Sequence, residues 1–231
     1  MNISVEHLAG CIDHTILSAT ATRANIEQLC HEAIDYGFHT VSINPRWIPL
    51  AAEILHKTQV KVDGVVSLPL GGDSTKIKAA QAKDAIFAGA DEIDMVADIA
   101  SIIEGDSKYL GNELYSVLKV CHSMRPIVLL KVIIESAALT EEQIIFACKV
   151  AQEVGVDFVK TSTGMNPAGG ATAEAVRLMK ESAPNCQVKA AGGIRTAAQA
   201  IAMLEAGADR IGTSASVKII EEYKTQCEQN G

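Results

Sequence analysis

The stretch GADEIDMV, residues 89–96, closes one helical pattern and opens one strand, and a similar junction returns as GVDFVKTS at 155–162 and GADRIGTS at 207–214. Each places a glycine where a helix C-terminus takes a left-handed residue, then an aspartate, then the start of a strand. Gly-Ala-Asp is also a common helix-to-strand loop, so the recurrence by itself does not define a repeat. The segments between the junctions decide the fold. Apolar, partly β-branched runs at 11–15, 39–44, 60–68, 92–97, 127–134, 156–162, 187–191 and 209–212 read as strands. Helical patterns separate them, such as 22–36, with Ile26, Leu29, Cys30 and Ala33 on one face, and 140–153, which opens on a Thr140…Gln143 capping-box spacing. Eight strand–helix pairs in 231 residues favour a parallel sheet, and a single-domain (β/α)8 TIM barrel over an open doubly wound sheet. No Pro/Gly/Ser-rich linker interrupts the chain, so residues 1–231 are expected to form one barrel domain. The stretch 98–111, after the fourth strand, reads as an elaborated loop.

Composition agrees with an aliphatic core: 48% of residues are hydrophobic but only 4% aromatic. The formal charge is −8 and no Lys/Arg run interrupts the acidic excess, which argues against a nucleic-acid partner. The N-terminal MNISVEHLAG lacks a basic segment followed by an apolar one, and no run approaches a membrane span. The six cysteines are scattered without C-x-x-C spacing. Free thiols in a reducing cytoplasm are the expectation.

Polar residues gather at the strand ends, where barrels of this kind keep their chemistry. The first strand carries Asp13, His14 and Thr15, and the fourth Asp94, with Asp98 beyond it. The fifth strand contains Lys131 and is followed by Glu135, the sixth ends at Lys160, and the seventh contains Lys189. Period two puts Val156, Phe158, Lys160 and Ser162 on one face of the sixth strand. A lone buried ammonium costs several kcal/mol, so either the lysines and carboxylates neutralise one another or the cost has a use. The useful version is an amine made neutral by desolvation and a neighbouring cation, able to attack a carbonyl and form a Schiff base. Lys160 is the better nucleophile, because the small polar residues Thr161, Ser162, Thr163 and Gly164 follow it.

Glycine-rich loops follow the last two strands, AAGGIRT at 190–196 and RIGTSAS at 210–216. Small residues before a helix N-terminus let backbone N–H groups converge on an anion, and these two loops are the usual phosphate cup of the barrel. A phosphorylated small substrate is the leading expectation. The histidines show neither H-x-H nor H-E-x-x-H spacing, so no metal site is expected, although His14 stands where it could enter the site. No G-x-G-x-x-G follows the first strand, which disfavours a dinucleotide site.

Taken together, IDHTIL at 12–17, INP at 43–45, GADEIDMV, LKVIIE at 130–135, DFVKTSTG at 157–164, VKAAGGIRT at 188–196 and RIGTS at 210–214 resemble the deoxyribose-phosphate aldolases, nearly end to end. The resemblance implies a class I aldolase on a (β/α)8 barrel that reversibly cleaves 2-deoxy-D-ribose 5-phosphate to acetaldehyde and D-glyceraldehyde 3-phosphate. It implies no metal and no organic cofactor, and it makes a homodimer the expected assembly. It assigns the Schiff base to Lys160, its activation to Lys189 and proton transfer to Asp94. The substrate-binding set it implies comprises Asp13, Thr15, Lys131, Thr161, Gly164, Gly192, Gly193, Gly212 and Ser214. Several positions depart from the commonest pattern. Ser42 stands where Cys is frequent, Leu68 where Phe is, and Met165 where some members carry a basic residue near the phosphate; Ala215 and Ser216 replace a common Ser-Gly. Tyr223 lies too far from the C-terminus to be assigned the active-site tyrosine that ends some members. The alternatives are another Schiff-base barrel lyase acting on a different phosphorylated sugar or keto acid, a pyridoxal-phosphate enzyme, and a metabolite-binding protein with an inert lysine.

Overall fold

Strand and helix alternate through residues 3–230, the part of the chain described by a computed structural model, and the strands close into a parallel barrel in sequence order. The strands are β1 (Ile12–Ile16), β2 (Thr40–Ile43), β3 (Lys61–Val66), β4 (Glu92–Val96), β5 (Leu129–Ile133), β6 (Phe158–Lys160), β7 (Gln187–Ala191) and β8 (Arg210–Thr213). Around them stand α1 (Val5–Gly10), α2 (Arg23–Tyr36), α3 (Ile48–Ile54), α4 (Thr75–Phe87) and α5 (Ile99–Glu104). The ring continues with α6 (Ser107–His122), α7 (Glu141–Val154), α8 (Ala173–Ser182), α9 (Ala197–Glu205) and α10 (Ser216–Asn230). The capping signals read at Thr140 and Gly155 are realised: Thr140 forms a capping box with Gln143, and Gly155 ends its helix in the left-handed region. Thr22 forms a second box with Asn25, and Gly37 ends α2 as Gly155 ends α7.

The expected loop at 98–111 is instead mostly helical. The Asp98 side chain caps α5 by accepting from Ser101 N at 2.7 Å, Gly105 ends it at φ +70°, and Asp106 caps α6 by accepting from Tyr109 N at 2.9 Å. Stop and start signals one residue apart look like turn chemistry in a sequence, although here they join two helices.

The recurring Gly-x-Asp junction has one physical role. Asp91 accepts from Val62 N at 3.0 Å, Asp157 from Leu130 N at 2.8 Å and Asp209 from Val188 N at 2.8 Å. Each carboxylate at the start of an even strand thereby latches the preceding odd strand. The glycine before it takes positive φ to turn the chain out of its helix.

The strands alternate strictly. Ile12, Val41, Ile43, Val62, Ile93, Met95, Leu130, Val132, Val159, Val188 and Ile211 belong to the buried apolar core beneath the helices. Residues of opposite parity, Asp13, Asp63, Glu92, Asp94, Lys131, Lys160, Lys189 and Arg210, are equally buried but lie on the other face, inside the barrel. Apolar burial at about 25 cal/mol per Å2 therefore comes mainly from the sheet–helix layer. The barrel interior is charged.

Candidate active site

Strand register sorts the interior into layers. The odd strands give one layer of Asp13, Asp63, Lys131 and Lys189. Each is in register with a residue of the layer above on one side (Gly212, Ser42, Asp94, Lys160) and of the layer below on the other (Thr40, Glu92, Phe158, Arg210). Three layers of four, drawn from alternate strands, are the usual filling of such a barrel, but branched apolar residues usually dominate them. Here four carboxylates face four cations.

The contacts form one continuous network. Lys160 Nζ donates to Asp94 Oδ2 at 2.5 Å, and Lys189 Nζ donates to the same oxygen at 2.7 Å. Lys189 also lies 2.5 Å from Asp13 and 3.0 Å from Asp63. Lys131 touches Asp63 at 3.1 Å, Glu92 at 2.7 Å and Asp94 at 2.9 Å. Arg210 closes the bottom on Glu92 at 2.6 Å, with its guanidinium 5.7 Å from the Phe158 ring centre.

Burial opposes charge on every member, and the neighbours decide each outcome. Burial is the strongest influence on Lys160; Asp94 opposes it, Lys189 adds to it, and the ammonium is held below the ordinary lysine pKa. Burial also dominates at Lys131 and Lys189 singly, but their carboxylate neighbours together outweigh it and both pKa values rise. Asp94 is held well below the usual carboxylate range, because three ammonium groups overcome its desolvation. Of these three interior lysines, the one made easier to deprotonate is the one nearest the C-terminal strand ends.

A cavity of ≈ 350 Å3 opens at that end, with Lys160 in its wall beside Thr15, Gly164, Gly192, Gly193, Gly212 and Ser214. No carboxylate lines it among the described residues, and its cations are Lys160 and Arg195. A cavity with this charge suits an anionic ligand. Two glycines are needed for its shape. A Cβ on Gly212 would lie 3.1 Å from Lys189 Cε, so the glycine leaves room for that side chain inside the barrel. Gly192 has φ +93°, and a Cβ there would lie 3.0 Å from Gly170 Cα. Above Lys160, Glu135 adopts a left-handed conformation (φ 54°, ψ 53°) and accepts from Thr163 N at 2.5 Å and Thr163 Oγ1 at 3.0 Å. That clamp fixes the loop after β6, and the strained backbone is of the kind stored at functional sites.

The residues singled out in the sequence divide into two groups. Thr15, Lys160, Gly164, Gly192, Gly193, Gly212 and Ser214 reach the cavity, as does the departure Met165. Asp13, Asp94, Lys131 and Lys189 lie beneath it, fully buried in the network. Thr161 is also buried and joins β6 to β7, donating to Ala191 O and accepting from Ala191 N at 3.0 Å each. His14 does not enter the site: it has the parity opposite to Asp13 and Thr15, and its ring is held between Ser216 Oγ and Glu32 Oε2 at 2.8 Å each. Burial lowers its pKa, and it is a satisfied core histidine. Tyr223 donates to Ile3 O at 2.9 Å and ties the last helix to the N-terminal segment. Sequence reading missed Asp63, Arg210 and Arg195. Period two along VKVDGVV could have flagged Asp63, since it shares a face with Val65 and not with the core residues Val62 and Val66.

The closed barrel, with a lysine of lowered pKa at the cavity on its C-terminal face, defines an enzyme of the (β/α)8 class. The chain belongs to the DeoC/LacD family of aldolases, whose pattern matches residues 8–221. A deoxyribose-phosphate aldolase of Thermococcus gammatolerans is 51% identical over 217 residues, covering 93% of this chain and 95% of its own. One from Thermoanaerobacter sp. (strain X514) is 48% identical over 218 residues, covering 94% and 97% respectively. A solved deoxyribose phosphate aldolase from Aeropyrum pernix, described as a unique tetramer, superposes with a TM-score of 0.89 at 32% identity, covering 96% of this chain and 93% of that one. The protein is an aldolase, a carbon–carbon lyase. No helix among its described residues is long and apolar enough to cross a membrane.

Proposed function

We propose that the enzyme reversibly cleaves 2-deoxy-D-ribose 5-phosphate to acetaldehyde and D-glyceraldehyde 3-phosphate through a Schiff base on Lys160. The observation that carries this reading is the position of Lys160, in the cavity wall, sharing Asp94 Oδ2 with Lys189. The unprotonated amine adds to C1 of the open sugar and water leaves, giving an iminium ion. That cation draws the C2–C3 bonding pair toward nitrogen while the C3 hydroxyl gives up its proton, so the bond breaks to D-glyceraldehyde 3-phosphate and an enamine rather than a bare carbanion. Protonation at C2 and hydrolysis then release acetaldehyde.

Lys189 acts as the second lysine, whose charge favours the neutral amine at Lys160. Asp94 moves protons during the carbinolamine and enamine steps, reaching the substrate through water. Gly164, Gly192, Gly193, Gly212 and Ser214 hold the phosphate, and Arg195 supplies the cation that Met165 does not. Thr15 faces the substrate hydroxyls, while Asp13, Lys131 and Thr161 hold the network and strands beneath it. The same reading puts the enzyme in deoxyribose phosphate catabolism in a reducing cytoplasm, and in an assembly of identical subunits. A dimer is the smallest such assembly, and sedimentation velocity measures it.

The test of the chemistry is borohydride reduction in the presence of acetaldehyde, followed by peptide mass spectrometry. An ethyl group on Lys160 is expected; modification elsewhere, or none, contradicts the assignment. A panel of sugar phosphates then separates the proposed substrate from other phosphorylated sugars.

A further inference from the structure

The interior charges balance only if a proton is accounted for. Asp13, Asp63, Glu92 and Asp94 face Lys131, Lys160, Lys189 and Arg210, so the fully ionised set is neutral. A nucleophilic Lys160 has lost one proton. Sending that proton to solvent leaves a net negative charge in a dry interior, which is costly. A carboxyl within the network can instead take it up.

Geometry selects the carboxyl. Asp13 lies 2.5 Å from Lys189, Glu92 lies 2.6 Å from Arg210 and 2.7 Å from Lys131, and Asp94 accepts from three lysines at 2.5 to 2.9 Å. Asp63 alone of the four has no contact shorter than 3.0 Å, lying 3.1 Å from Lys131 and 3.0 Å from Lys189, and both of those lysines are closer to other carboxylates. It is also connected to the nucleophile: Lys189 Nζ bridges Asp63 Oδ2 at 3.0 Å and Asp94 Oδ2 at 2.7 Å, and Asp94 Oδ2 touches Lys160.

We propose that Asp63 holds, as a neutral carboxyl, the proton that Lys160 gives up to become a nucleophile, and returns it when the Schiff base forms. This rests on the Schiff-base reading of Lys160. The groups facing Asp63 are Lys131 on β5, Lys189 on β7, Asp94 on β4 and Asp13 on β1, and desolvation followed by the Asp94 charge raises its pKa against the two lysines. Asp13, Glu92 and Asp94 shift the other way.

The step balances. The Lys160 amine adds to the aldehyde carbonyl, forming a C–N bond, and a proton moves from nitrogen to oxygen to give the carbinolamine. The C–O bond then breaks and the leaving hydroxide is protonated to water. Its proton comes along the relay, with Lys189 passing one to Asp94 while taking one from Asp63. Amine, carboxylic acid and aldehyde become iminium, carboxylate and water, with no change in the charge of the interior and no redox change. Asp63 touches neither substrate nor Lys160 and acts through Lys189.

The test adds acetaldehyde to the whole enzyme and follows two signals. Infrared difference spectra with carboxyl-13C aspartate are expected to show loss of one protonated-carboxyl band in the parent and no such band in Asp63→Asn. Proton uptake in weakly buffered solution at about pH 7 is expected to be nil in the parent and about one per site in Asp63→Asn, which makes acetaldehyde affinity in the variant fall roughly tenfold per pH unit. An unchanged carboxyl spectrum in the parent overturns the proposal even if Asp63→Asn does not fold. So does a folded Asp63→Asn that forms the adduct without taking up a proton. If mass spectrometry finds no adduct on Lys160 of the parent, the functional reading fails and this proposal with it. If the adduct is present and the carboxyl is silent, only the proposal about Asp63 fails.

Discussion

Lys78 and Lys160 both set a nitrogen against a buried carboxylate, Glu113 at 2.7 Å for the first and Asp94 at 2.5 Å for the second. Lys78 also donates to Val96 O at 2.9 Å, and Glu113 accepts from Asp98 N at 2.9 Å, so this pair fastens α4 and α6 to the upper end of β4. Among the described residues Glu113 pairs with this one ammonium, whereas Asp94 serves three. Lys160, in addition, reaches a cavity. Burial alone therefore does not separate the proposed nucleophile from a lysine that fastens helices. A competing cation and an opening to substrate distinguish the two sites.

The comparison can be broken at several points, beginning with the largest effect. Lys160→Ala is expected to lower turnover on the order of 10^4-fold or more, since it removes the covalent step, while a melting curve shows the fold retained. A variant with near-normal turnover would end the comparison. Next, Lys189→Leu should cut the rate at neutral pH roughly 10^3-fold. The sign follows from like-charge repulsion: Lys189 lowers the Lys160 pKa, so its loss raises that pKa and moves the rising limb of the pH–rate profile to higher pH. Activity should recover in part in alkaline buffer, and an unshifted profile would contradict the role.

Lys78→Met addresses the other pair. Removing one partner of a buried ion pair costs about 3 kcal/mol or more, read by denaturant titration, and the Lys160 adduct should still form. Burial, the largest influence on Glu113, raises its pKa even with Lys78 present. A carboxyl raised on folding stabilises below its unfolded pKa and loses that contribution as pH climbs through the folded one. The variant, lacking the ammonium that lowers this pKa, should therefore lose stability with rising pH above about 4 more steeply than the parent. The smallest effect belongs to the loops proposed to hold the phosphate. Gly192→Ala forces a side chain into the left-handed region beside Gly170 and should raise KM roughly tenfold with less change in kcat, measured by steady-state kinetics.

Most of the barrel can be read in the sequence because strand alternation and helix caps are local signals. The eight strands lie where the apolar runs put them, with edges moved by a residue or two, and Thr22, Thr140 and Gly155 act as their types suggest. Lys131, Lys160 and Lys189 stand out because charge inside a strand conflicts with its surroundings, whereas the parts given to Lys189 and Asp94 come from the family resemblance. Asp63 did not stand out, being a single acid in an apolar run, and its meaning depends on Lys131 and Lys189 from β5 and β7. Lys78 was hidden for another reason. It stands in TKIKAAQAKD, among lysines that look solvated, and only packing against the end of β4 buries it. Period two along the first strand puts Asp13 and Thr15 on one face and His14 on the other, which argues against His14 as a site residue although its position at a strand end points toward the site.

The proposition beneath all of this is that the Lys160 amine is unusually easy to deprotonate because it is dry and stands beside Lys189. NMR titration of 13Cε-labelled lysine, with Lys160 assigned by its loss in Lys160→Arg, measures that directly. The expected midpoint lies below the ordinary lysine value of about 10.4 and rises in Lys189→Leu. A midpoint at or above that value in the parent, or one indifferent to Lys189, would contradict it.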